Sequence, residues 1–286
     1  TKQGRVFLGE ASAISEVSLT QKPSLDRLIE NLPASGLHPL KEFVITSRNE
    51  LLVNVGSASD SCVLEKDKTP IFPCEETIES IPRGSIQAYD LSSEIPRTTQ
   101  KTFATGLRNS MAIMLLEEGD TWNLFQAENS TDYPDAELPA EELNHVTDED
   151  FYGWPYCITD NHGNVINSRS YPEFKLCDRS KKPIQHWPAH AAPLHMIPPS
   201  EYATNTPWEG MALVAWKGYR PTGHKIVGLP VHELQVTSTP LIVISDWDEK
   251  KGIRPKGSPT GLLIDSQGNL WVVEDRNGTI IRISRE

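Results

Sequence analysis

The sequence predicts an all-β protein, and three observations predict it. Short β-branched and aromatic runs recur along the chain, turn residues separate them at short intervals, and amphipathic helical windows are nearly absent. In chain order the runs are Phe43-Val44-Ile45, Leu51 to Val55, Ser85 to Tyr89, Ala112-Ile113-Met114, Trp122 to Phe125, Met211 to Trp216, Lys225-Ile226-Val227, Leu241 to Ile244, Leu262-Leu263-Ile264, Leu270 to Val273 and Thr279 to Ile283. One window, Ser24 to Asn31, places Leu25, Leu28 and Ile29 on a helical face and is closed by Pro33; it reads equally well as an irregular strand connection. The 22 prolines and 18 glycines are spread along the chain rather than pooled in a linker, so residues 1–286 are expected to form one domain.

The strands are not independent. Phe43 to Val53 matches Leu262 to Val272 in pattern: an apolar strand, a polar hairpin turn (Thr46-Ser47-Arg48-Asn49 against Asp265-Ser266-Gln267-Gly268), then a second apolar strand. Ala112 to Phe125 is a degenerate third copy with Glu118-Gly119-Asp120 as its turn. Repeated hairpins, none able to bury both faces alone, predict a β-propeller of four or five blades; a β-sandwich is the competing architecture and explains the repeat less well.

Charge and cysteine content bound the function. A formal net charge of −12 repels a phosphate backbone, so nucleic acid is not an expected partner. The longest apolar runs stop far short of the roughly 20 residues of a membrane helix. The start, Thr1-Lys2-Gln3-Gly4, shows no signal-peptide pattern. The four cysteines fall as Cys62 with Cys74 and Cys157 with Cys177, spacings that suit two local disulfides better than a zinc cage. Together with the sequons at Asn129 and Asn277, they point to an extracellular or periplasmic protein.

Five strings then carry a resemblance: Gly106-Leu107-Arg108-Asn109, Glu137 to Asn144, Tyr152-Gly153-Trp154-Pro155-Tyr156-Cys157, Trp187 to Leu194, and Ala215 to Lys225. In this order they resemble the soluble quinoprotein sugar dehydrogenases (glucose, sorbosone and fungal pyranose dehydrogenases), which use pyrroloquinoline quinone (PQQ) and calcium on a six-bladed propeller. Leu37-His38, ahead of the Phe43 strand, extends the match. The resemblance implies oxidation of a sugar at C1 and delivery of the electrons to an external acceptor such as a cytochrome.

What it implies for residues follows the chemistry. The C1 hydroxyl loses a proton, a task suited to a neutral imidazole, and His38 matches the family's base. Charge gathers on the quinone oxygen as hydride arrives, and Arg108 matches the cation that stabilises it. Asn109 is its amide neighbour, and Lys217 matches a lysine that contacts cofactor carboxylates. Trp187 offers a flat ring to quinone or sugar, or else fills the core between blades. Ser130 and Thr131, in the loop after Glu128, are the candidate calcium donors, with Asp132, Asp135, Glu137, Glu141 and Glu142 nearby. A glycan on Asn129 is incompatible with that site.

Departures from the family are equally specific. Its acid before the base and its arginine four residues after it are here Leu37 and Glu42; its Arg-Pro-x-Gly reads Ser258-Pro259-Thr260-Gly261, with Arg254 and Lys256 close enough in sequence to substitute. The match begins inside the family's domain, so the expected fold is an N-terminally shortened propeller. A calcium-dependent lactonase-type hydrolase and a non-catalytic carbohydrate- or protein-binding propeller are the alternative functions.

Overall fold

The computed structural model describes residues 4–20, 22–175, 177–245 and 257–284. Within them the chain is all β: strands form five sheets of three to five strands, antiparallel but for one parallel edge pair, and a two-stranded sheet of Cys157–Thr159 and Val165–Asn167; helical structure is limited to short 3-10 turns, and no helix is long and apolar enough to cross a membrane. The chain falls into two compact units, one of residues 1–110, 146–158 and 165–182, the other of 111–145, 159–164 and 183–286.

The first unit holds two of the five larger sheets. Val6–Gly9, Ile14–Ser18 and Ser24–Ile29 make the first, in that spatial order. Ser24–Ile29 is therefore a strand and not a helix. Six residues are too few to nucleate a helix alone, whereas pairing Leu25 with Val17 and Ile29 with Ile14 satisfies the backbone and buries Ile29 completely. The second sheet runs Phe43–Ile45, Glu50–Val55, Ser85–Asp90 and Lys101–Thr105, with Asp150–Phe151 added in parallel at the far edge. Glu50–Val55 is buried on both faces: Leu51, Val53 and Val55 pack with Ile14, Ile29 and Tyr89, while Leu52 and Asn54 fill the opposite side.

The second unit holds three sheets. Ala112–Glu118, Thr121–Glu128, Glu141–Val146 and Gln185–Trp187 form one; Pro193–Ile197, Met211–Trp216, Lys225–His232, Gln235–Val236 and Leu241–Ser245 form the next; Pro259–Ile264, Leu270–Glu274 and Thr279–Ile283 form the last. Alternate residues of facing sheets make two cores, one around Met114, Phe125, Leu143 and Val214, the other around Leu213, Ile226, Leu270 and Val272. All eleven expected runs lie within observed strands.

The hairpin repeat is real at the level of hydrogen bonds. Asn49 N–H donates to Thr46 O at 3.0 Å and Thr46 N–H to Glu50 O at 2.9 Å; at the matched positions Gly268 N–H donates to Asp265 O at 3.0 Å and Asp265 N–H to Asn269 O at 3.0 Å. Both turns need a left-handed residue, supplied by Asn49 at φ 61° and Gly268 at φ 79°. Asp160 to Asn164 builds the same turn, Gly163 N–H donating to Asp160 O and Asp160 N–H to Asn164 O.

Candidate active site

In the first unit the Pro-rich connection between the two sheets carries His38 against the end of Glu50–Val55. Leu37 N–H donates to Ala58 O at 2.9 Å and His38 N–H to Ser57 O at 3.3 Å. The approach is close enough to require Gly56, where a Cβ would stand 2.6 Å from His38 Cβ. His38 Nδ1 lies 3.1 Å from Ser57 O and 2.8 Å from Ser57 Oγ. A carbonyl only accepts, and the Ser57 hydroxyl is spent donating to Ser59 O at 2.6 Å. Both neighbours are thus acceptors, so Nδ1 carries the proton and Nε2 is the basic nitrogen. Burial, reinforced by the nearby Arg108 charge, pulls the imidazole down to about 4, against weaker opposing contributions from Ser57 and Asp60. At neutral pH this ring is an uncharged base of fixed tautomer.

Arg108 follows Lys101–Thr105 and is 2% exposed. Its Nη2 donates to Asp60 Oδ1 at 2.7 Å and its Nε to Asp60 O at 3.2 Å, while its own carbonyl accepts from Ser57 N–H at 2.9 Å. A buried guanidinium thus arrives already paired to a carboxylate. Trp154 Nε1 donates to the same Asp60 carbonyl at 2.9 Å. Two of the quoted strings meet here through glycines: Trp154 N–H donates to Gly106 O, and Gly84 at φ 64° is the residue whose Cβ would strike the Trp154 ring at 2.5 Å. Asn109 is buried beside Arg108. Glu76 completes the frame, accepting from Ala58 N–H and the Ser59 hydroxyl. The Cys62–Cys74 disulfide sits next to it, so these two sulfurs are not thiolate ligands for a metal.

Sequence reasoning missed Ser57, Asp60 and Glu76, and it quoted Trp154 without giving it a role. The available signal was the polar run Ser57-Ala58-Ser59-Asp60-Ser61 immediately before Cys62, too polar for a strand and tied down by the cysteine. The Cys62–Cys74 and Cys157–Cys177 bridges themselves form as expected.

In the second unit Lys217 ends Met211–Trp216. Its Nζ lies 2.6 Å from Asp275 Oδ2 and 5.7 Å from the Tyr219 ring centre, with 19% of the side chain exposed. Burial lowers its pKa, but the Asp275 hydrogen bond and the Tyr219 and Asp275 charges outweigh it, and the ammonium is held above its ordinary range. Gly218 is obligatory there, because a Cβ would lie 1.8 Å from His190 O; its N–H donates to Ala191 O, joining the string Ala215 to Lys225 to the string Trp187 to Leu194. Ser130 Oγ donates to Ala140 O at 2.8 Å and its N–H to Glu141 Oε2 at 2.7 Å, and Glu141 Oε1 accepts from Ala192 N–H at 3.0 Å. Thr131, Glu141 and Glu142 are buried, whereas Asp132 and Glu137 face solvent.

Trp187 belongs to the core: it is 2% exposed, packs 5.4 Å from the Trp216 ring and donates from Nε1 to Gln185. Its ring faces are occupied by protein, which is the core alternative expected from sequence. Arg254 and Lys256 lie outside the described residues.

Residues 16–286 match the model of a family described as TrAA12-like. Among solved structures, the calcium structure of a Trichoderma reesei Carbohydrate-Active Enzymes family AA12 protein is 20% identical with a TM-score of 0.77, covering 97% of this chain and 77% of that one. The holo form of the pyranose dehydrogenase PQQ domain from Coprinopsis cinerea is 19% identical, TM-score 0.72, covering 98% and 79%. The PQQ-bound aldose sugar dehydrogenase from Streptomyces coelicolor is 17% identical, TM-score 0.56, covering 96% and 70%. No curated protein matches the sequence. These likenesses make the fold a β-propeller of the quinoprotein sugar dehydrogenase type, with the five sheets as its blades.

Proposed function

The chain belongs to the TrAA12-like family, and from that premise we propose that it is an oxidoreductase that oxidises the C1 hydroxyl of a sugar (aldose, pyranose or sorbosone-like) with PQQ and calcium as cofactors. The observation that carries this reading is His38: a half-buried neutral imidazole whose Nδ1–H is fixed on Ser57, beside the paired guanidinium of Arg108.

The residues fit both groups in kind. An anionic quinone calls for cations and amide donors; Arg108 and Asn109 in the first unit are of that kind, and Lys217 in the second, considered by itself, is another. Calcium calls for oxygen, which Ser130 and Thr131 supply. When bound, PQQ supplies the electrophile that takes the hydride, and calcium the Lewis acidity that polarises it. His38 Nε2 accepts the proton of the C1 hydroxyl. Ser57 holds the ring so that this nitrogen, and not Nδ1, meets the substrate. Arg108 contributes fixed positive potential where an oxygen gains negative charge, and Asp60 keeps the guanidinium in one orientation. The imidazolium that forms is disfavoured by desolvation and by Arg108, so its proton is released to solvent rather than retained. The electrons go on to an external acceptor such as a cytochrome. Two disulfides support an extracellular or periplasmic setting.

The test is dye reduction after reconstitution with PQQ and calcium, over a panel of aldoses, ketoses and sorbosone. Sugar-dependent turnover is expected, falling by about 10² or more in His38→Ala. Full turnover in that variant removes His38 from the mechanism, and lactone hydrolysis without PQQ in place of sugar oxidation overturns the oxidoreductase reading.

A further inference from the structure

The connection that presents His38, residues 30–42, has no regular secondary structure, and two of its residues, Pro33 and Pro39, lack an N–H. Such a segment is short of donors for its own carbonyls. The deficit is met by side chains. Lys41, 6% exposed, donates from Nζ to Pro33 O at 2.8 Å and to Pro39 O at 2.7 Å. Those carbonyls lie five residues before His38 and one residue after it, so a single ammonium closes the loop across the base. Arg83, also buried, donates from Nη1 to Ser35 O at 2.7 Å and from Nη2 to Ser35 Oγ at 2.9 Å, and pairs with Glu79. Gly36, at φ 94° with no room for a Cβ against Ala58, lets the same loop lie flat on residues 57 and 58.

We propose that Lys41 is a positioning residue for the reaction: its ammonium clamps Pro33 O to Pro39 O and thereby holds the His38 imidazole in its half-buried seat on Ser57. The inference rests on the reading of His38 as the base. Burying an ammonium is costly, and desolvation, with the Arg83 charge second, draws this one down to about 8. Loop closure by an apolar side chain would avoid that cost but leave both carbonyls unmet. Without the clamp the loop loosens, the ring gains water, and the burial that depresses its pKa is relieved; the groups then facing His38 are Arg108, Asp60 and Ser57.

The experiment is an NMR titration of the His38 ring nitrogens in cofactor-free protein, for wild type, Lys41→Met and Lys41→Arg, alongside turnover after reconstitution. Wild type is expected to titrate at about 4. Lys41→Met is expected to titrate upward toward 6.5, with kcat down by about tenfold or more and KM changed less than about twofold, as for a misplaced base. Lys41→Arg, which keeps donors and charge, is expected to restore the low titration. A folded Lys41→Met with an unchanged His38 titration and unchanged kcat overturns the proposal. Should Lys41→Met not fold, Lys41→Gln replaces it: its shorter amide reaches one carbonyl at most, so an intermediate titration supports the clamp and an unchanged one overturns it. A titration that moves in a protein that oxidises no sugar leaves the clamp standing and removes the dehydrogenase reading alone.

Discussion

His38 and Arg108 illustrate how differently two residues of one site depend on their surroundings. Arg108 stays charged anywhere, so its burial matters only for where the charge points, and Asp60 fixes that. For His38 the surroundings decide the chemistry itself, because an imidazole at its ordinary 6.5 is partly protonated in mildly acidic media, while one at about 4 is a competent base there. The activity-pH profile is therefore expected to hold its plateau in kcat/KM down to about pH 4, since turnover is lost only as the ring protonates below its folded pKa; an acid limb near 6.5 would mean that the ring is not buried as described. Stability runs in the same direction. Between 6.5 and about 4 the unfolded chain binds the His38 proton more readily than the folded one, so this group's contribution declines as pH falls through that window. The imidazole and guanidinium were legible in the sequence. Their orienting partners were not, because Ser57 lies 19 residues from His38 and Asp60 lies 48 from Arg108, joined only by the fold.

Elements were legible where composition and burial agree. Phe43–Ile45, Met211–Trp216 and Thr279–Ile283 end where the apolar runs end. Glu141–Val146 escaped detection because buried polar residues break its apolar pattern: Glu142 and Asn144 are buried, with Asn144 Nδ2 donating to Glu142 at 3.1 Å and to Gln126 at 3.0 Å. Such a strand carries both apolar area at Leu143 and buried polar groups, and burial pushes the Glu142 carboxyl upward despite its partners Thr159 and Asn144. The turns were more transparent, since the Asp-x-x-Gly-Asn of residues 265–269 recurs at 160–164 with the same bonds. Between these elements the site loop depends on close approach, and Gly56 is its tightest point. Gly56→Ala is expected to displace the His38 backbone and lower kcat by about tenfold or more, with a stability loss of about 1–3 kcal/mol in urea unfolding. Wild-type kcat in the Gly56→Ala protein would show that the base is not seated against this strand.

At the scale of the whole chain, a net charge of −12 and a pI near 5.2 set the terms for an anionic cofactor. The general field repels it, so the proposed binding has to come from local cations; Arg108 in the first unit and Lys217 in the second, each taken by itself, are the candidates. Both are held in place by a carboxylate, Asp60 and Asp275, which keeps them ordered without adding net positive charge. The propeller class was readable from the hairpin repeat, because repetition is a property of sequence; the two-unit division was not, since proline and glycine are spread evenly and mark no boundary. Both disulfides lie within the unit that carries His38 and Arg108, fastening the loops around them. The central claim, that this acidic chain holds PQQ through a few placed cations, is tested most directly by an absorbance titration of PQQ into the protein with and without calcium. Saturable one-to-one binding at micromolar PQQ or below is expected, dependent on calcium and weakened by about tenfold in Lys217→Met. Absence of binding at micromolar PQQ with calcium present would contradict it.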